Sequence, residues 1–128
     1  MTEATIRKRP KHLAVWQIKL PFPGIVSIVH RVSGAGLFLL LPFLIYLLDM
    51  SLLNQDSFGE FREIIANPLV KLVLLGLLWA YLHHFCAGIS YLFLDIGKGL
   101  ELPCARLSAT AAVVVSLTLT AVIGGLLW

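Results

Sequence analysis

The sequence predicts an all-α membrane protein with three transmembrane helices, a cytoplasmic N-terminus and a short amphipathic helix in the first loop. Three observations carry this prediction. The first is bulk composition: 59% of the 128 residues are hydrophobic, against roughly 45–50% in a soluble domain. The second is where the excess sits. Long apolar stretches cover residues 32–53, 69–94 and 107–127, and about 20 such residues cross a bilayer. Three spans fit and a fourth does not. The third is charge placement. Arg7, Lys8, Arg9, Lys11, Lys19 and Arg31 precede or open the first stretch. The first loop sets Arg62 against Asp56, Glu60 and Glu63, and the second sets Lys98 and Arg106 against Glu101. Basic loops stay inside, so the N-terminus and second loop are expected in the cytoplasm. The C-terminus then faces outward, with Trp128 as an interfacial anchor.

This charge pattern explains the net +3 as topology, so no nucleic-acid partner is expected. The basic N-terminus also resembles the start of a signal peptide. A signal h-region, however, is about 7–15 residues long and ends at a small-residue cleavage site. The first apolar run is longer and lacks such a site, so it is read as a mature helix.

Residues 1–24 read as a cytoplasmic surface segment, with Trp16 at headgroup level and a turn at Pro21-Phe22-Pro23-Gly24. A proline disfavours helix in the residue before it. Residues 25–128 read as the three-helix anchor domain, with spans at about 25–53, 68–96 and 105–128. Pro42 lies inside the first span and should bend it. In the first loop Ser57 and Glu60 match a capping box, S-x-x-E. Phe58, Phe61 and Ile65 follow at helical spacing, as in a helix lying on the outer membrane surface. Asn67-Pro68 reads as cap and first residue of the second span, and Gly97 with Gly99 as its release. In the third span Ser108, Ala112, Ser116, Thr120 and Gly124 recur every four residues, a small-residue stripe for helix packing in lipid. Cys86 and Cys104 are read as a buried hydrophobe and a loop thiol, not a disulfide.

Two polar clusters could carry chemistry. His84, Gly88, Tyr91 and Asp95 fall on one face of the second span. A histidine deep in hydrocarbon is costly and marks a functional site by default, serving proton relay or metal ligation, with haem iron the obvious metal. Gly88, one turn from His84, leaves room for a flat macrocycle. The alternative is a plain interhelical hydrogen bond with no cofactor. His83 points about 100° away. It could snorkel, face a partner subunit or be the ligand instead, although it meets Ala87 rather than a glycine. The second cluster is Ser27, His30, Arg31 and Gly34, on one broad face where the first span begins. Arg31 can bind a carboxylate in bidentate fashion and Ser27 offers a hydroxyl donor. Alternatively Arg31 is a snorkelling anchor and Ser27 a cap. A single histidine at this spacing leaves the second axial ligand of a six-coordinate haem to another chain.

Arg9-Pro10, the run Ser27-Ile28-Val29-His30-Arg31-Val32-Ser33-Gly34, and His84 through Gly88 to Asp95-Ile96-Gly97 together resemble the cytochrome b membrane-anchor subunits of succinate dehydrogenase, respiratory complex II. The resemblance covers nearly the whole chain and matches the large anchor type. It implies that His84 is an axial ligand of haem b, shared with a second small membrane-anchor subunit. It implies that Ser27 and Arg31 line a ubiquinone site, and that His30, Arg31 and Tyr91 lie on the haem propionate side. It further implies a flavoprotein subunit that oxidises succinate and an iron–sulfur subunit that passes electrons on, as part of the tricarboxylic acid cycle and respiratory chain. A trimer of heterotetramers in the bacterial inner membrane is the implied assembly. No catalytic residue is expected in this chain, which carries neither a Rossmann fingerprint nor a cysteine cluster. The chain departs at Ser90-Tyr91, where relatives often carry Arg-His: Tyr91 donates one hydrogen bond but brings no cation.

Two other readings compete. A fumarate reductase anchor would run the same chemistry with menaquinone. A small transporter or assembly protein would need no haem. Coupled transport usually places a charge deep in a span, whereas Asp49, Lys71 and Asp95 all lie near span ends.

Overall fold

The computed structural model describes residues 17–128. The expected positions of Arg7, Lys8, Arg9, Pro10, Lys11 and Trp16 lie outside the described residues. The rest forms four helices: α1 (Phe22–Leu53), α2 (Gln55–Ala66), α3 (Pro68–Asp95) and α4 (Leu102–Leu127). Among the described residues α1, α3 and α4 are each long and apolar enough to cross a membrane.

The start of α1 corrects the sequence expectation. The helix opens at Phe22, not Ile25, with Pro21 as N-cap and Pro23 in its first turn. First-turn N–H groups have no intrahelical acceptor, so a proline there loses nothing. The Pro21 carbonyl accepts from the backbone N–H of Gly24 at 2.8 Å and of Ile25 at 3.2 Å. The same reasoning moves the start of α4 from 105 to Leu102, with Pro103 in the first turn. Helix α1 continues past Pro42 without a break.

The loop helix α2 exists, but its cap differs from expectation. Asn54, not Ser57, is the N-cap, and its side-chain oxygen accepts from the Ser57 N–H at 2.8 Å. Asparagine caps as well as serine does and lies one turn earlier. Asn67 caps α3 as expected, accepting from the Leu69 N–H at 2.9 Å. At the far end Gly97 and Gly99 both have φ of +76°. The Lys98 N–H reaches the Phe93 carbonyl and the Gly97 N–H reaches the Leu94 carbonyl, the paired bonds of a Schellman stop.

The three long helices touch one another, α3 most extensively α4 and then α1. Their meeting point is small: Val26, Ala87, Ala109 and Ala112 form the core, with Cys86, Tyr91 and Val113 against it. The large apolar side chains, such as Phe38, Leu39, Leu52 and Leu126, face outward. Water would penalise that surface, but hydrocarbon solvates it, so helix association rests on close packing of small residues. The α4 stripe supplies that packing: Ala112, Ser116, Thr120 and Gly124 are buried, and Ala109 takes the place expected for Ser108. The hydroxyls of Ser116 and Thr120 donate to carbonyls of their own helix at 3.0 and 2.7 Å, so their burial leaves no donor unmet. Cys86 and Cys104 are free thiols.

Candidate functional site

The site forms where α1 passes α3. On α1, Val26, His30, Ser33 and Gly34 recur at helical spacing and form the seam turned toward α3. On α3 the partner is His84, half-buried near the middle of the span. The helices approach so closely that a Cβ added at Gly34 would lie 2.7 Å from His84 Cε1. A glycine at 34 is what lets the imidazole lie against the α1 backbone. Gly88, read from the sequence as leaving room for a macrocycle, lies beside His30, where a Cβ would stand an ordinary 3.5 Å from Nε2.

The hydrogen bonds decide the tautomer of His84. Its Nδ1 lies 3.0 Å from the His30 carbonyl oxygen. A carbonyl can only accept, so Nδ1 carries the proton and the neutral ring keeps its lone pair on Nε2. Metal-ligating histidines commonly anchor their second nitrogen in this way. The His30 ring stacks on His84 with centroids 4.0 Å apart and planes 11° apart. Tyr91 meets the His30 ring edge-on at 5.1 Å. The plane and tautomer of His84 are therefore both held by neighbours from α1. The Tyr91 hydroxyl is buried and has no protein partner among the described residues.

The expected α1 face is divided. His30 and Gly34 pack against α3, Arg31 is exposed, and Ser27 is half-buried one turn before it. The division follows from the helix itself, since Arg31 is turned about 100° from His30. Asp95 is exposed at the end of α3.

His83 corrects the expectation in a different way. Only 1% of its surface is exposed, so it neither snorkels nor faces another subunit. Its ring lies 5.4 Å from that of Trp79. A side chain so enclosed has no open side for a macrocycle, which leaves His84 as the ligand candidate of the pair. Both His83 ring nitrogens and Trp79 Nε1 are buried without a hydrogen-bond partner among the described residues.

Ser33 is the site residue that sequence reasoning missed. It is buried on the α1 seam, donates from Oγ to the His30 carbonyl at 2.8 Å and lies 3.3 Å from His84 Nδ1. The available signal was its spacing, seven residues after Val26 and three after His30.

Among the described residues no three His, Cys, Asp or Glu side chains converge as a protein-only metal site. A lone imidazole can still hold an iron whose four equatorial donors come from a macrocycle.

Residues 5–123 match the family described as succinate dehydrogenase/fumarate reductase transmembrane subunit. A succinate dehydrogenase cytochrome b556 subunit of Coxiella burnetii is 35% identical over 122 residues, covering 94% of this chain and 98% of the relative. That of Rickettsia felis is 32% identical over 115 residues, covering 88% of each chain. That of Paracoccus denitrificans is 31% identical over 108 residues, covering 84% of this chain and 82% of its own. With a family match across almost its full length and relatives of this identity and coverage, the chain belongs to the succinate dehydrogenase/fumarate reductase transmembrane subunit family.

Proposed function

We propose that this chain is the haem b-carrying membrane anchor of a succinate:ubiquinone oxidoreductase. The observation that carries the proposal is the bond from His84 Nδ1–H to the His30 carbonyl. It leaves the Nε2 lone pair for iron in a ring whose plane and tautomer are set beforehand. The cavity enclosed between α1, α3 and α4, lined by Pro23, Val26, Tyr91 and Ala109 among others, is only about 30 Å³. Pockets for organic ligands are roughly 300–1,000 Å³. That cavity is too small for haem, so a haem held by His84 would lie outside it, which supports sharing it with a second small anchor subunit. The names of the relatives support succinate oxidation over fumarate reduction.

Bound haem supplies a one-electron carrier within the membrane. The residues of this chain do the rest by position. His84 presents Nε2. His30 orients it through its carbonyl and ring. His30 and Arg31 serve the propionate side, Arg31 as the cation, whereas the Tyr91 hydroxyl, which the resemblance also put there, is buried against the small cavity and takes no part in this reading. For ubiquinone, Ser27 donates a hydrogen bond to a carbonyl oxygen, and Arg31 stabilises negative charge developing there. A flavoprotein subunit oxidises succinate, and an iron–sulfur subunit delivers the electrons to the membrane face. The N-terminus and the α3–α4 loop face the cytoplasm of a bacterial inner membrane, with α2 on the outer surface. The assembled complex forms a trimer of heterotetramers.

The test is a reduced-minus-oxidised absorption spectrum of the purified complex, wild type beside His84→Leu. A b-type haem signal that is lost or strongly altered in the variant is expected. Its persistence unchanged would move ligation to another chain, and absence of haem from the wild type would overturn the proposal.

A further inference from the structure

We infer that Ser33 is a positioning residue that weakens the electron donation of His84 by competing for the carbonyl that its Nδ1–H binds. The inference rests on the reading above that His84 ligates haem iron. Three distances define the arrangement. The Ser33 hydroxyl donates to the His30 carbonyl at 2.8 Å. His84 Nδ1 donates to the same oxygen at 3.0 Å. Ser33 Oγ and His84 Nδ1 are themselves 3.3 Å apart.

A carbonyl oxygen has two lone pairs. In an α-helix the His30 carbonyl is already the acceptor of the N–H four residues on. The serine hydroxyl and the imidazole N–H thus add two donors to an oxygen that is already engaged. Each donor draws electron density from the acceptor the others share. An imidazole N–H bound to a strong acceptor makes the opposite nitrogen a more basic ligand. A more basic ligand favours ferric over ferrous iron and lowers the potential of the couple. A hydroxyl that occupies the acceptor has the opposite effect and keeps the potential higher.

Two bland readings compete with this one. Serines in helices often bond back to their own turn, whether buried or not, and Ser51 and Ser116 bond back in this way here at 2.7 and 3.0 Å. Ser33 differs because the carbonyl it takes also accepts from a side chain of another helix. In the second reading Ser33 Oγ acts on His84 as an acceptor, which would strengthen ligand basicity. At 3.3 Å that contact is longer than the usual range of about 2.7–3.2 Å for N–H···O bonds. The 2.8 Å bond to the carbonyl is well inside hydrogen-bond range, so competition for the carbonyl is the larger effect.

The experiment is potentiometric titration of the b-type haem in the purified complex, with the electron paramagnetic resonance spectrum of the oxidised haem as a second readout. Ser33→Ala is expected to lower the midpoint potential and shift the ferric g-values. Ser33→Thr keeps the hydroxyl and its back-bond and is expected to stay at wild-type values. An unchanged or raised potential in Ser33→Ala overturns the inference. Should Ser33→Ala fail to assemble, Ser33→Cys serves instead. Its thiol is a weaker donor, so a smaller shift in the same direction is expected, and no shift overturns the inference. His84→Leu separates the two readings. Loss of the haem signal there, with an unaffected Ser33→Ala, sinks the role of Ser33 alone. A haem signal unchanged in His84→Leu sinks both.

Discussion

Gly34 and His84 meet at the tightest point of the site. A Cβ at position 34 would come within 2.7 Å of His84 Cε1, a separation that real atoms do not hold. The imidazole cannot simply turn aside, because its Nδ1 bond and its stacking on His30 both fix the ring. In Gly34→Ala the ring or the helix contact must therefore shift. The expected outcome is a lower haem-to-protein ratio in the purified complex, measured by pyridine haemochrome, with α-helix content unchanged by circular dichroism. Gly88→Ala is the matched control. Its Cβ would meet His30 Nε2 at 3.5 Å, so near-normal haem content is expected there.

Helix ends set which residues reach the site. The α3 stop depends on Gly97 in the left-handed region at φ +76°, where a Cβ costs about 1–2 kcal/mol. Gly97→Ala is expected to lower the apparent melting temperature of the complex, and Gly97→Asn to lower it less, since asparagine tolerates that conformation better. A differential scanning fluorimetry series would check both, and equal melting of all three proteins would show that the Schellman stop adds nothing. The loop helix shows how local signals compete. Ser57 and Glu60 fit a capping box, but Asn54 holds the capping position with its bond to the Ser57 N–H. Several residues here can cap, and the path of the chain leaving α1 decides which one does.

For the whole molecule, stability resides in the small-residue contact of α3 with α4. Ser116 is wholly buried with its hydroxyl satisfied within its own helix, so the position is limited by space alone. Overpacking a filled site costs about 1–3 kcal/mol. Ser116→Leu is expected to reduce thermal stability while leaving the haem midpoint potential at its wild-type value. A shifted potential in this variant would mean that overpacking at Ser116 is transmitted along α4 to the α1–α3 site. The outward-facing apolar side chains show why packing carries so much weight: lipid already solvates them, so burial in the bundle offers them little.

Much of the molecule was legible in the sequence. Three apolar runs long enough to cross hydrocarbon determined the all-helical class, since only closed hydrogen-bonding patterns survive in lipid. Residue spacing determined the α4 stripe, and Asn67, Gly97 and Gly99 marked the ends of α3 through their local backbone chemistry. The motif segments singled out His84 as a ligand candidate and His30 on the propionate side, but not the stacking and hydrogen bond between them. Tertiary structure alone decided which of two adjacent histidines is enclosed. His83 and His84 are chemically equal in the sequence, and only the placement of α1 and α4 around α3 buries one and holds the other on the seam. It also decided that Gly34 rather than Gly88 lies under His84, and that Ser33 shares its carbonyl. These are contacts between residues fifty or more positions apart. Periodicity within one helix reports a face, whereas the register and distance between two helices are set by how all three pack.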